Sequence, residues 1–179
     1  MEYEEILEKK KVKTVVSGFK INANKLNKML KPFQKHCVEW ALFRGKSALF
    51  EDCGLGKTFQ QLEWAHQVAI HCQRPVLILA PLAVTEQTIL EGVKFGIDVY
   101  KYDFNCTPNE NEPDVFISNY EQLDNIDCSV FAGVVLDESS ILKNFTGVYK
   151  NKIIELFRNT PYKLACTATP SPNDLNTIS

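Results

Sequence analysis

A glycine-rich turn that ends in lysine and threonine constrains this chain more than any other sequence feature. The segment is Glu51-Asp-Cys-Gly-Leu-Gly-Lys-Thr58, between a short apolar stretch and a stretch with helical periodicity. Gly54 and Gly56 permit a turn tight enough to direct several backbone N–H groups at one anion, and the N-terminus of the following helix adds to the attraction. The segment therefore predicts a phosphate-binding loop that includes the backbone of Leu55.

The residues that follow the glycines suit a nucleotide–magnesium complex. Lys57 is expected to contact the β- and γ-phosphates, and the Thr58 hydroxyl to complete a Mg²⁺ coordination shell. The general pattern GxxxxGK[ST] is not fully met, because Glu51 occupies the first glycine position. The alternative is a turn that caps a helix and binds nothing.

A second signal is Val134-Val-Leu-Asp-Glu138, an apolar strand that ends in an acidic pair, Asp137 and Glu138. A P-loop ATPase needs one carboxylate to hold Mg²⁺ through water and another to orient the attacking water. Asp137 and Glu138 fit those tasks in that order. A strand that ends in Asp-Glu is common by itself, so the pair gains its meaning from the phosphate loop upstream.

Apolar runs and helical periods alternate along the chain. Residues 76–80 form a continuous β-rich run between Pro75 and Pro81, which is typical of a strand buried on both faces. The predicted strands are 47–50, 76–80, 99–102, 115–118, 133–137 and 162–167, and the predicted helices are 33–43, 57–72, 84–95, 120–123 and 148–157. This alternation predicts an α/β fold with a mainly parallel sheet sandwiched by helices.

Composition excludes several classes of protein. The chain has 179 residues, of which 45% are hydrophobic and 23% charged, the balance of one soluble globular domain. No apolar run approaches the ~20 residues that span a bilayer, and the first residues lack the apolar core of a signal peptide. The six cysteines contain no CxxC pair and no zinc-type spacing, which disfavours a disulfide framework or a structural zinc site.

The net charge of −2 conceals an asymmetry. Residues 1–50 contain 11 Lys or Arg against 5 Asp or Glu, whereas residues 51–179 contain 9 against 17. The basic part is either a footprint for a phosphate backbone or a solvated, lysine-rich pair of helices. We divide the chain into a basic N-terminal arm, 1–30, and a single domain, 31–179.

Four further segments complete a series with the phosphate loop and the acidic pair. In chain order the six are LKPFQ at 30–34, EDCGLGKT at 51–58, VLILAPL at 76–82, VFISNYEQL at 115–123, LDESSILKN at 136–144 and LACTATP at 164–170. Together they resemble the motifs of the first RecA-like domain of superfamily 2 helicases, particularly the Swi/Snf-like branch found in many phage and prophage proteins. The resemblance covers about residues 30–175, and in that branch an acid at the position of Glu51 is expected.

The resemblance implies a RecA-like P-loop NTPase fold and a role for each motif. It implies that Gln34 pairs with the adenine edge, since an amide offers a donor and an acceptor together. Residues along the nucleic-acid face, or coupling that face to the ATP site, would be Pro81, Leu82, Ser118, Asn119, Tyr120, Thr167 and Thr169.

The resemblance further implies the ATP-binding lobe of an ATP-dependent helicase or translocase, with ATP and Mg²⁺ as cofactors and DNA as partner. Ser140 stands where many relatives have histidine, and the sequence ends at Ser179 without a second RecA-like domain. Because an arginine finger supplied by another element is worth ~10³–10⁵ in rate, we expect weak binding and very slow hydrolysis from this chain alone. The second lobe would act in cis or in trans, in the cytoplasm of a bacterium or a phage-infected host. Two alternatives remain: a P-loop kinase or GTPase, and a non-catalytic RecA-like module that binds nucleic acid or a partner.

Overall fold

The computed structural model describes residues 16–52, 54–105, 108–139 and 147–168. Within them the helices are α1 (Pro32–Arg44), α2 (Lys57–Cys72), α3 (Leu82–Phe95) and α4 (Gly147–Leu156). The strands are β1 (Lys46–Phe50), β2 (Val76–Ala80), β3 (Val99–Lys101), β4 (Val115–Asn119), β5 (Gly133–Leu136) and β6 (Tyr162–Thr167). Short 3₁₀ helices occupy Ala23–Lys25, Tyr120–Asn125 and Cys128–Val130.

The six strands form one sheet in the order β1-β6-β5-β2-β4-β3, and every neighbouring pair is parallel. All five residues of β2 are buried, as the uninterrupted apolar run predicts. Because all strands run the same way, their carboxyl ends meet at one edge of the sheet. The segments after β1, β2, β4, β5 and β6, which carry the predicted motifs, are thereby brought to that edge.

Helices cover both faces of the sheet, and β2 shows the division clearly. Val76 and Ile78 join the cluster that contains α1, α2 and α3, whereas Leu77 and Leu79 join the cluster that contains α4. Side chains alternate between the two faces of a strand, so a strand this central needs apolar residues at every position. The predicted α/β class, a parallel sheet sandwiched by helices, is confirmed.

The described part of the predicted arm is packed onto the domain. Leu26 and Leu30 are buried in the larger core cluster, and the Phe19 ring stacks on His71 with centroids 3.8 Å apart. The Phe19 N–H donates to the Leu42 carbonyl at 3.1 Å. The isolated apolar residues of this segment have neither a helical nor a strand period, so their burial could not be predicted from a local pattern. The boundary at residue 31 stays a prediction.

Two local differences from expectation have simple causes. α3 begins at Leu82 because Pro81, with its fixed φ, takes the N-cap position. The turn after β4 is a 3₁₀ helix in which the Asn119 side chain accepts from the Gln122 N–H at 3.1 Å. In the described residues no helix is long and apolar enough to cross a bilayer.

Candidate functional site

The predicted phosphate loop joins β1 to α2 and has the backbone that its glycines allow. Gly54 and Gly56 have φ values of 83° and 77°, in the left-handed region that favours glycine. Gly56 is the N-cap of α2, and no side chain caps that end of the helix. The first N–H groups of an α-helix have no partner within the helix, so they are available to an anion.

Lys57, the first residue of α2, folds back over the loop. Its Nζ donates to the carbonyl oxygens of Glu51 at 2.8 Å and Asp52 at 3.0 Å. An ammonium group has three hydrogens, so these two bonds hold both ends of the loop together around one positive charge.

Gln34 connects α1 to the same loop. Its buried side chain donates from Nε2 to the Leu55 carbonyl at 2.8 Å, and its Oε1 accepts from the Lys31 N–H at 2.8 Å. A Cβ added at Gly56 would lie 2.4 Å from this Nε2. The amide thus positions the loop, and the remaining hydrogen and lone pair are what it can offer a base. Its contact with adenine stays a prediction.

Asp137 lies directly after β5 and is bonded to α2. Gln61 Nε2 donates to Asp137 Oδ1 at 2.6 Å, and the Glu138 N–H donates to the same oxygen at 3.0 Å. Burial raises the pKa of the Asp137 carboxyl, and the bond from Gln61 opposes that rise. Thr58 precedes Gln61 by three residues, so both side chains lie on the same side of α2. The helix that begins at the phosphate loop is thereby fixed against the acidic pair.

A second glutamine holds the start of the loop. Gln60 Nε2 donates to Glu51 Oε2 at 2.6 Å, from a side chain with no exposed surface. Sequence reasoning missed both Gln60 and Gln61. The available signal was two adjacent amides in the first turns of the helix, shortly after the glycine turn. The acid at position 51 therefore has a partner in the fold.

Glu138 and Thr167 meet at the carboxyl edge of the sheet. Thr167 Oγ1 donates to Glu138 Oε1 at 2.9 Å, and the Glu51 N–H donates to the Thr167 carbonyl at 3.2 Å. Glu138 has a φ of 48°, an uncommon conformation for a residue with a side chain. The predicted residue Thr169 and the noted Ser140 lie outside the described residues.

The predicted nucleic-acid residues separate into two groups. Leu82, Ser118 and Asn119 line a cleft of about 630 Å³ between α3, the end of β4 and the segment after β3, and Pro81 caps α3 beside it. Tyr120 is different: it is only 3% exposed, and its hydroxyl donates to the Asp137 carbonyl at 2.7 Å. The Tyr120 ring is turned inward against the acidic pair, and its role along the nucleic-acid face or in coupling that face to the ATP site stays a prediction.

The donor set fits magnesium. Thr58 and Asp137 offer a hydroxyl and a carboxylate oxygen, the hard ligands that Mg²⁺ prefers, and a nucleotide-bound Mg²⁺ uses only one or two protein groups beside phosphate and water. The described ranges contain no cluster of three His, Cys, Asp or Glu that could hold a metal. The loop and the helix N-terminus are the predicted phosphate-binding part.

Comparison with known proteins identifies a family and several solved structures with a similar fold. The SNF2-related domain family matches residues 33–179. The SWI2/SNF2 ATPase core of Sulfolobus solfataricus, solved with double-stranded DNA, superposes with a TM-score of 0.68 at 22% identity, over 84% of this chain and 34% of that one. The UvsW helicase of bacteriophage T4 gives 0.65 at 18% identity, over 94% and 61%.

A DNA-bound, nuclease-deleted form of the Type ISP restriction-modification enzyme LlaGI gives a TM-score of 0.58 at 17% identity, over 81% of this chain and 18% of that one. At these identities the likeness concerns the fold, and the chain spans less than two thirds of each structure. No curated protein sequence matches significantly.

Proposed function

Because this chain belongs to the SNF2-related domain family, within the Swi/Snf-like superfamily 2 helicases, we propose that it is the ATP-binding lobe of an ATP-dependent DNA helicase or translocase. It hydrolyses ATP with Mg²⁺ when a second RecA-like lobe, in cis or in trans, closes on the nucleotide. Alone it binds ATP weakly and turns it over very slowly.

The observation that carries the proposal is the 2.6 Å bond between Gln61 and Asp137. It ties the helix that starts at Lys57 and Thr58 to the acid at the end of β5. A glycine turn that only caps a helix does not require a carboxylate from another element to be bonded to that helix one turn further along. A phosphate loop does, because the metal must touch both elements.

Each polar group at the site then has a task. Lys57 and the backbone of Gly54, Leu55 and Gly56 bind the phosphates. Thr58 and Asp137 hold Mg²⁺, which when bound neutralises charge on the phosphate oxygens. Glu138 orients the attacking water, and Thr167 fixes the Glu138 carboxylate from β6 at 2.9 Å.

The cleft beside α3 is the proposed contact for DNA. Leu82 and Asn119 line it, and Tyr120, the next residue, bonds to the carbonyl of Asp137. Two consecutive residues therefore join the cleft to the acidic pair, which offers a short path for DNA binding to alter the ATP site. The S. solfataricus relative, with the same fold, was solved with double-stranded DNA.

Titration calorimetry with ATP–Mg²⁺ tests the proposal on the chain and on Lys57→Ala. We expect heat of binding that disappears in Lys57→Ala, because the loop loses its one phosphate-directed cation. Lys94→Ala, at the exposed end of α3, is the matched control and should bind as the parent chain does. Thermal unfolding by circular dichroism checks that Lys57→Ala is folded.

The non-catalytic alternative has one observation in its favour. Lys57 and Gln34 are already bonded to backbone carbonyls of the loop, and a nucleotide must compete with those bonds. A folded chain that gives no heat at millimolar ATP, alone and when supplied with a second lobe, would support that alternative and refute the ATPase.

A further inference from the structure

The outward face of α1 exposes aromatic rings. Trp40 is 43% exposed, whereas Val38 and Leu42 on the inward face have no exposed surface. Trp40 and Phe43 border a cleft of about 300 Å³ together with Lys20. Large rings on a surface, when they share a concave site with polar groups, indicate a binding surface.

A cation lies over each of the two rings. The Lys20 Nζ lies 5.7 Å from the Phe43 ring centroid, and the guanidinium carbon of Arg44 lies 5.8 Å from that of Trp40. Both distances are within the range of cation–π attraction. Lys20 follows Phe19, whose backbone is bonded to α1 and whose ring is stacked on His71. The positive charges are thus held next to the rings.

The charge of the surrounding segment favours a polyanion. Residues 16–50 contain seven Lys or Arg and one acid, Glu39. Glu39 borders the cleft together with Lys20, so the two opposite charges offset each other there and the cleft itself does not favour a phosphate. An uncharged, flat group therefore belongs inside and phosphates belong outside, beside Lys20 and Arg44. That is the arrangement of a nucleotide unit with an unstacked base.

We propose that this face binds single-stranded nucleic acid, by stacking a base on Trp40 and Phe43 while Lys20 and Arg44 contact the flanking phosphates. Such binding is tolerant of sequence, since every base has a π-face. The site is distinct from the cleft beside α3. α1 packs on α2 and β1, and β1 and β3 are the opposite edges of the sheet. The inference does not depend on ATP binding.

Tryptophan fluorescence tests it directly, because Trp64 has no exposed surface and Trp40 is the exposed emitter. The 179-residue chain is titrated with a thymidine oligomer of about 16 nucleotides, at low salt and without ATP. We expect quenching of Trp40 emission. In Trp40→Leu the remaining Trp64 signal should stay constant, and affinity measured by anisotropy of a labelled oligomer should fall about 5- to 150-fold.

Matched variants separate stacking from general loss of structure. Trp40→Phe keeps a ring and should retain most of the affinity, and Tyr100→Leu removes an aromatic side chain of similar exposure, 47%, from β3 without effect. Glu39→Gln removes the one repulsive charge and should tighten binding severalfold. Lys20→Ala should reduce the slope of log affinity against log salt by about 0.7.

Three results would overturn the proposal. One is equal affinity of the parent chain and a folded Trp40→Leu variant. Another is equal affinity for an abasic oligomer with the same number of phosphates, which would indicate charge attraction without stacking. The third is a Trp40-dependent dimer in sedimentation, which would assign the face to a second copy. Each leaves the calorimetric result with Lys57→Ala unaffected, so the two proposals fail separately.

Discussion

Gly54 and Gly56 allow the phosphate loop to be tested with a closely matched pair of substitutions. Both have positive φ, and both become alanine in the test. Alanine in the left-handed region costs ~1–2 kcal/mol, and the reduced freedom of the unfolded chain returns ~0.4–1 kcal/mol. At Gly54, where no described atom lies within 4 Å of the new Cβ, the net loss of stability should be about 1 kcal/mol.

Gly56→Ala should lower stability more than Gly54→Ala does, because the new Cβ meets one neighbouring side chain. Its new Cβ would lie 2.4 Å from Gln34 Nε2, so the amide must move and its bond to Leu55 is lost. A buried hydrogen bond contributes ~0.5–1.5 kcal/mol, and an orphaned carbonyl adds to the loss. We therefore expect about 2–3 kcal/mol for Gly56→Ala. For a chain of this size that lowers the melting temperature by roughly 4–12 °C, against 2–4 °C for Gly54→Ala.

The assay is urea denaturation of Gly54→Ala, Gly56→Ala, Gln34→Ala and the double variant Gln34→Ala/Gly56→Ala. In the Gln34→Ala background, Gly56→Ala should lower the free energy of unfolding only as much as Gly54→Ala does. The reason is that Gln34 Nε2, the atom that the new Cβ would displace, is absent there. Equal losses for the two glycines, or additive effects of Gln34→Ala and Gly56→Ala, would refute the contact between the amide and the loop.

Two further predictions concern the acidic pair. Desolvation raises the pKa of the half-buried Asp137 carboxyl. The folded state is therefore favoured below the ordinary aspartate pKa of about 3.9, and this stabilisation is lost as pH rises through the folded-state pKa. Asp137→Asn should therefore remove that pH-dependent loss and be the more stable protein at neutral pH, as urea denaturation at several pH values would measure. Equal pH slopes would contradict it. Tyr120→Phe removes the bond to the Asp137 carbonyl and should cost about 1 kcal/mol. With a second lobe present it should reduce stimulation of ATP hydrolysis by DNA more than basal hydrolysis, and equal reduction would exclude coupling.

The sequence predicted those parts of the fold that depend on local signals. The bounds of β2 are matched residue for residue, because Pro75 and Pro81 exclude helix and strand continuation at both ends. α2 starts where predicted because Gly56 can take a left-handed N-cap conformation. The phosphate loop and the acidic pair are adjacent in the fold, since each follows a parallel strand of the same sheet.

What could not be predicted depends on contacts between distant residues. The bond from Gln61 to Asp137 joins residues 76 positions apart, and nothing local distinguishes a glutamine that faces a carboxylate from one that faces water. Tyr120 belongs to a motif associated with nucleic acid, yet its ring turns inward because the short 3₁₀ helix rotates it toward β5. The packing of Leu26 depends on a surface formed by residues that come later in the chain.

The order of strands has a consequence for synthesis on the ribosome. β1 pairs with β6, Lys46 with Lys163, so the strand that precedes the phosphate loop lacks this neighbour until β6 has been made. At ~5–20 residues per second, the interval between them lasts roughly 6 to 23 seconds. During that time the apolar residues of β1 and the loop remain open to wrong pairings and to chaperones. The contacts of Thr167 with Glu51 and Glu138 form only when β6 arrives, so the proposed nucleotide site cannot be complete before then.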